Sequence, residues 1–262
     1  MYMTPSSIFD FKLRNTLCWE DTQRKSSLLP PPPPSIKIEY DHDFYYGAMR
    51  RDKSNRFVCN MDTLDCAFLY ENPLVLNMAD DIIPGGWVNV GSFAQEESLF
   101  RRSNYHLTLT RDLYPILDTQ AIYSPAVTVF KGPDLEPLDI PRQFAFIACP
   151  GIKYPFLDDD GKFEDEDYRI LEEKIKTILQ VAITYRHDSI IFGALGCGAW
   201  QNPSREVAQI FRNVLDDYDG YIPNFIFAIL DDVDDMDDSD TESDTEEKES
   251  NYEIFKSIVL ST

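Results

Sequence analysis

No run of about 18 apolar residues occurs anywhere in this sequence, so no membrane-spanning helix is expected. The N-terminal stretch MYMTPSSIFDF has neither a basic region nor a long apolar one, which excludes a secretory signal. Cysteine is present as an odd set of five (Cys18, Cys59, Cys66, Cys149, Cys197) with no CxxC pair. That pattern excludes a disulfide scaffold or a zinc knuckle and fits a reducing, intracellular compartment, cytoplasmic or nuclear. There is no GxSxG elbow and no GK[ST] phosphate loop. Histidine is scarce, and none of His42, His106 and His187 is placed as a partner for a nucleophilic cysteine. No calcium-loop pattern is present, and no metal site is expected.

Positive charge is also in short supply. Twenty-four Lys and Arg face 46 Asp and Glu, a net charge of −22. Half of the excess lies in residues 231–249, which hold twelve acids and one lysine. Such a surface repels phosphate backbones at long range and excludes sequence-general or sequence-specific binding of naked nucleic acid. An anionic ligand would have to be held locally, by backbone N–H groups or a few arginines.

What is present is a layered pattern. Apolar runs at 56–60, 73–79, 121–130, 144–150, 189–195 and 224–230 read as strands. Residues 63–70 read as a short helix behind an Asp62 N-cap. Residues 166–186 put Ile170, Leu171, Ile175, Ile178, Leu179 and Ala182 on one helical face, and 204–216 do the same with Val207, Ile210, Phe211, Val214 and Leu215. Strands alternating with helices predict an α/β domain with a largely parallel sheet covered on both faces.

Residues 1–55 read as an N-terminal extension before a domain over 56–262. A helix over 8–29 would use Ile8, Phe11, Leu13 and Leu17, ending at the five prolines of 30–34. Those prolines suit a surface strap or linker, or alternatively a proline-rich ligand segment. The acidic run, taken as 231–250, is expected to be a disordered insertion, because it has almost no apolar content. Ser239, Thr241 and Ser243 in it resemble acidic-directed kinase sites. Tyr252, Ile254, Phe255, Ile258 and Val259 then suggest a terminal helix.

Two glycine-containing loops each follow a buried strand. In the first, Pro84, Gly85, Gly86 and Gly91 precede Gln95, Glu96 and Glu97 at a helix start, where carboxylates complement the dipole and N–H groups point outward. Glu96 and Glu97 serve either as dipole partners or as groups that meet a ligand. In the second, Gly193, Gly196 and Gly198 expose backbone N–H groups before a helix from Ser204, as a diphosphate cradle requires. Both loops lie at the carboxyl ends of strands, where open α/β sheets bind ligands. Cys197 between two glycines reads as a packing residue, with a nucleophile as the alternative.

At these loops the sequence resembles the microbial-type poly(ADP-ribose) glycohydrolases of the macrodomain superfamily. Gly85, Gly86 and Trp87, seven intervening residues, then Gln95, Glu96 and Glu97 fit that family's glycine loop and Gln-Glu-Glu motif. The likeness continues through SLFRRSNYHL, YSPAV, FGALGCGAWQNPS, FAILDD and NYEIF, over roughly residues 56–260. It implies a three-layer α/β/α macrodomain-like fold with a central mixed, largely parallel sheet, acting as a metal- and cofactor-independent glycosidase.

In that family's image Glu97 is the catalytic glutamate, Glu96 orients ribose hydroxyls and Asn77 contacts the distal ribose. Gln95 and the Gly85, Gly86 and Trp87 loop line the substrate. Gly196, Cys197, Gly198 and Ala199 form the diphosphate loop, and Trp200 takes the aromatic position beside the terminal ribose. The family's third loop glycine is Trp87 here, which would put a bulky side chain where the loop approaches its ligand. The implied partner is poly(ADP-ribose) or an ADP-ribosylated protein, met by a monomer. Removal of mono-ADP-ribose from proteins and non-catalytic ADP-ribose binding are the alternative functions.

Overall fold

A computed structural model describes residues 5–47, 52–230 and 249–261. Seven strands form one mixed sheet in the order β1-β4-β5-β3-β6-β7-β2. They are β1 (Ile36–Glu39), β2 (Asn55–Cys59), β3 (Pro73–Asn77), β4 (Gln120–Lys131), β5 (Pro137–Ala148), β6 (Ser189–Phe192) and β7 (Asn224–Ala228). The five strands β5, β3, β6, β7 and β2 run parallel, and β4 and β1 continue one edge antiparallel. Helices α1 (Pro5–Ser26), α2 (Thr63–Ala67) and α3 (Gln95–Arg102) cover one face. Helices α4 (Asp165–Thr184), α5 (Ser204–Asp217) and α6 (Asn251–Val259) cover the other.

The period-2 alternation of strand side chains makes the three layers. Leu74 and Leu76 face the α4/α5/α6 core while Val75 faces the other. Ile190 and Phe192 oppose Ile191 in the same way, and Phe225 and Phe227 oppose Ile226. On α5, Val207, Ile210, Phe211, Val214 and Leu215 are all buried, the stripe expected at helical spacing. Each fully buried side chain of this size stabilises the fold by about 1.5–3 kcal/mol.

The predicted strands and helices recur with shifted ends. Asp62 caps α2 by accepting from the N–H groups of Leu64 and Asp65. Ser250 caps α6 in a capping box with Glu253, so the last residue assigned to the acidic insertion is an ordered helix cap. Residues 231–248, with the expected disorder and the serines and threonine within them, lie outside the described residues.

The N-terminal segment departs from its sequence reading. The helix is there, but the buried face is not the apolar one. Leu13 and Leu17 are exposed, whereas Asn15, Trp19, Thr22 and Ser26 are buried. The side chain of Ile8 lies outside the described residues. This face binds through polar contacts that hydrophobic periodicity does not register. Asn15 Nδ2 donates to the Gly91 carbonyl (3.1 Å), Trp19 Nε1 to Asn89 Oδ1 (2.7 Å) and Thr22 Oγ1 to the Arg101 carbonyl (2.5 Å). Past the prolines, β1 pairs with β4 as the edge strand, an element the sequence reading did not contain.

Candidate active site

Strand β3 ends at Asn77 between β5 and β6, so the loops after β3 and β6 leave neighbouring parallel strands in the same direction. Both glycine loops therefore sit on one edge of the sheet. Their roots touch, since a Cβ on Gly193 would fall 2.9 Å from the Met78 side chain.

Helix α3 starts at the predicted motif, and its first turn is clamped by Gln95 and Glu96 to the end of β3 and by Glu96 and Glu97 to the glycine loop. Gln95 Oε1 accepts from the Met78 N–H (3.0 Å), and its Nε2 donates to the Leu76 carbonyl (2.6 Å). Glu96 accepts three bonds, from Asn77 Nδ2 (3.1 Å), the Asp80 N–H (2.8 Å) and the Gly85 N–H (3.1 Å). Glu97 Oε1 accepts from the Trp87 N–H (3.0 Å), while its Oε2 is buried with no partner among the described residues. Burial pushes the Glu96 carboxyl up to about 8, and the Glu97 charge adds to the rise. Its three donors pull the other way and do not prevail. Arg101, one turn beyond Glu97, donates to the Ser92 carbonyl (2.5 Å). Arg102 is wholly buried and forked between Asp62 (2.6 Å) and Asp65 (2.7 Å), tying α3 to α2.

The glycine loop thus spends the N–H groups of Gly85 and Trp87 on the carboxylates and that of Gly86 on the Ile83 carbonyl (3.0 Å), rather than leaving them for a ligand. Gly85 (φ +77°) and Gly86 (φ +54°) lie in the left-handed region. A Cβ on Gly85 would meet the Phe100 ring at 2.5 Å, and one on Gly86 would meet Glu97 Oε1 at 2.7 Å. Trp87 differs. Its φ is −103°, so no glycine is required, and its side chain is 60% exposed. The indole is not packed into the turn; it stands on the outside of the loop.

The second loop has the opposite character. The N–H groups of Gly196, Gly198, Ala199 and Trp200 have no acceptor among the described residues, while that of Cys197 is bonded to the Ala194 carbonyl (3.1 Å). Gly196 (φ +76°) packs against the buried Asn202 side chain, whose Nδ2 donates to the carbonyls of Ile152 (2.6 Å) and Trp200 (3.2 Å). Burial pushes the Cys197 thiol up to about 12, with a hydrogen bond to Ser204 acting against it. A thiol so protonated is no nucleophile at neutral pH. His187 is no partner either; it is bonded to Tyr123 and Asn72 at the amino ends of the strands.

Sequence reasoning missed several residues that shape the mouth. A Cβ on Gly151 would come within 2.7 Å of Gly196 Cα, so the β5 and β6 loops meet backbone to backbone. Lys153 pairs with Asp80 (3.1 Å) and Asp81, and its ammonium lies 5.0 Å from the Trp200 ring centroid, linking the two glycine loops. Asn15 and Trp19 reach the first loop from α1, where a Cβ on Gly91 would fall 2.3 Å from the Lys12 carbonyl oxygen. A lone Gly, Asn or Trp carries no local pattern, so none of these was visible in one sequence. Among the described residues no group of three or more His, Cys, Asp or Glu is arranged to hold a metal ion.

Comparison with known proteins agrees with this fold. The poly(ADP-ribose) glycohydrolase of Thermomonospora curvata superposes with a TM-score of 0.74 at 21% identity, over 86% of this chain and 96% of that one. Its complex with the inhibitor ADP-HPD gives 0.71 at 20% identity, over 84% and 94%. The Deinococcus radiodurans glycohydrolase in complex with ADP-ribose gives 0.65 at 21% identity, over 95% and 92%. No curated protein matches the sequence. A family model described as the catalytic domain of microbial-type PARG matches residues 23–132, the stretch that holds the first glycine loop and both glutamates. The fold is therefore that of the poly(ADP-ribose) glycohydrolases, and residues 23–132 are similar to the microbial-type PARG catalytic domain.

Proposed function

We propose that this chain hydrolyses the ribose–ribose O-glycosidic bonds of poly(ADP-ribose), releasing ADP-ribose, with Glu97 as the acid and base. The observation that carries the reading is the asymmetry of the Glu97 carboxyl. One oxygen is fixed by the Trp87 N–H and the other is buried with no partner among the described residues, on the same sheet edge as a loop with four N–H groups that have no acceptor among them. An unsatisfied buried oxygen gains most from a ligand donor or a transferable proton.

On this reading the N–H groups of Gly196, Gly198, Ala199 and Trp200 hold the pyrophosphate, and Cys197 shapes that turn. Glu97 gives the proton on Oε2 to the leaving 2′-oxygen as the ribose becomes oxocarbenium-like. The same oxygen then takes a proton from the attacking water, which completes the hydrolysis and restores the acid. Glu96, with Asn77, fixes the ribose hydroxyls. Because burial raises it to about 8, Glu96 presents a largely uncharged carboxyl over much of the neutral range. Gln95, Gly85 and Gly86 hold the carboxyls in place, and Trp200 borders the terminal ribose. The partner is the polymer or an ADP-ribosylated protein, and the working unit is a monomer.

The test is incubation of the purified chain with labelled polymer and, separately, with mono-ADP-ribosylated protein. Free ADP-ribose from the polymer alone is the expected result. Release from the mono-modified protein alone would make the chain a mono-ADP-ribosyl hydrolase. Binding without product from either would make it a reader.

A further inference from the structure

Trp87 is anchored at its backbone and free at its ring. Its N–H is bonded to Glu97 Oε1, and its carbonyl accepts from Val90 (3.1 Å) and Ser92 (3.4 Å). Gly86 before it and Val88 after it are buried. Yet the indole is 60% exposed, no ring of the described residues packs on it, and its Nε1 has no acceptor among them. A large aromatic surface is thus held in water one peptide unit from the group that delivers the proton.

The position of that surface follows from the chemistry of the proposed reaction, on which this inference rests. Glu97 protonates the oxygen that leaves, so the leaving unit lies on the Glu97 side of the scissile bond. That oxygen is the 2′-oxygen of an adenosine ribose, and the neighbouring ribose carbon carries a purine. A polymer therefore brings a flat base to the side of the site where Trp87 stands. A protein-linked ADP-ribose brings an amino-acid side chain instead.

We propose that the Trp87 indole stacks on the purine of the leaving unit and so selects polymer over singly modified protein. An exposed indole is well suited to this role, because stacking removes apolar surface of both partners from water and needs no directional bond. The free product, which has no leaving unit, makes no use of the ring.

The test uses the full chain carrying Glu97→Gln, so that substrate survives, and compares ADP-ribose with a dimer of two ADP-ribose units by calorimetry. Adding Trp87→Ala should weaken dimer binding about tenfold and ADP-ribose binding by less than about twofold, given what one base–aromatic stack contributes. Trp87→Phe, which keeps a ring, should retain most of the dimer affinity. In the active protein, Trp87→Ala should raise KM for polymer with kcat little changed. Equal weakening of both ligands, or unchanged dimer affinity, overturns the assignment of Trp87. Failure of the Glu97→Gln protein itself to bind ADP-ribose is a different result, which removes the glycohydrolase reading and the stack with it.

Discussion

The Cβ that Gly86 lacks would lie 2.7 Å from Glu97 Oε1 and 3.3 Å from Glu96 Oε2. The glycine therefore acts less by flexing than by leaving room for two carboxylates. Gly86→Ala adds a methyl group there and asks alanine to adopt φ +54°. The strain costs about 1–2 kcal/mol, or a few degrees of Tm in a chain of this size. Displacing the acid should cost more, a fall in turnover of about 100-fold. Thermal unfolding and polymer turnover measured on the same preparation check this; an alanine variant with full turnover contradicts it.

Burial raises Glu96 to about 8 against an ordinary value of 4.5. Between those values the folded chain holds a proton that the unfolded chain has released, so this group's contribution is fully present below pH 4.5 and is lost as pH rises through 8. Urea unfolding at pH 5 and pH 8 should show the wild type losing more stability on that rise than Glu96→Gln, which cannot titrate. Parallel losses in the two proteins would remove the claim that Glu96 is protonated in the fold.

Most of the layered architecture is legible in the sequence, because it rests on repeating signals. Alternating Leu74, Val75 and Leu76, or the α5 stripe from Val207 to Leu215, can be read without knowing what they touch. The motif at Gln95, Glu96 and Glu97 is legible for a similar reason, since a helix start, two acids and flanking glycines stand together. What one sequence does not display is partnership across the chain. The buried face of α1 is polar and pairs with carbonyls and an amide some 70 to 80 residues away, and the apolar Leu13 and Leu17 mislead about it. β1 is four residues long at a sheet edge, too short for alternation to single it out. Gly151 matters only because Gly196 lies against it.

That hidden face of α1 predicts an effect far from the chemistry in sequence. Trp19→Phe keeps a ring near Phe100 and His106 but removes the bond to Asn89 in the glycine loop. One such hydrogen bond contributes about 1 kcal/mol, so Tm should fall by a few degrees. Turnover should fall severalfold, because the loop that fixes Glu97 loses a support. Turnover equal to wild type would show that α1 stabilises the fold without positioning the loop.

Cys197 sits in the cradle loop, yet its thiol is pushed up to about 12 by burial. Cys197→Ala should therefore leave a working enzyme, with a modest rise in KM where the turn relaxes. Complete loss of turnover in a folded, ADP-ribose-binding variant would assign the thiol a chemical role.

The central claim is that Glu97 moves the proton and does little else. It is tested most directly by ADP-ribose release from labelled polymer by Glu97→Gln, alongside ADP-ribose binding to the same protein. Retained binding with turnover lowered by about 100- to 10,000-fold is the predicted result. Unchanged turnover in the glutamine variant would contradict the account.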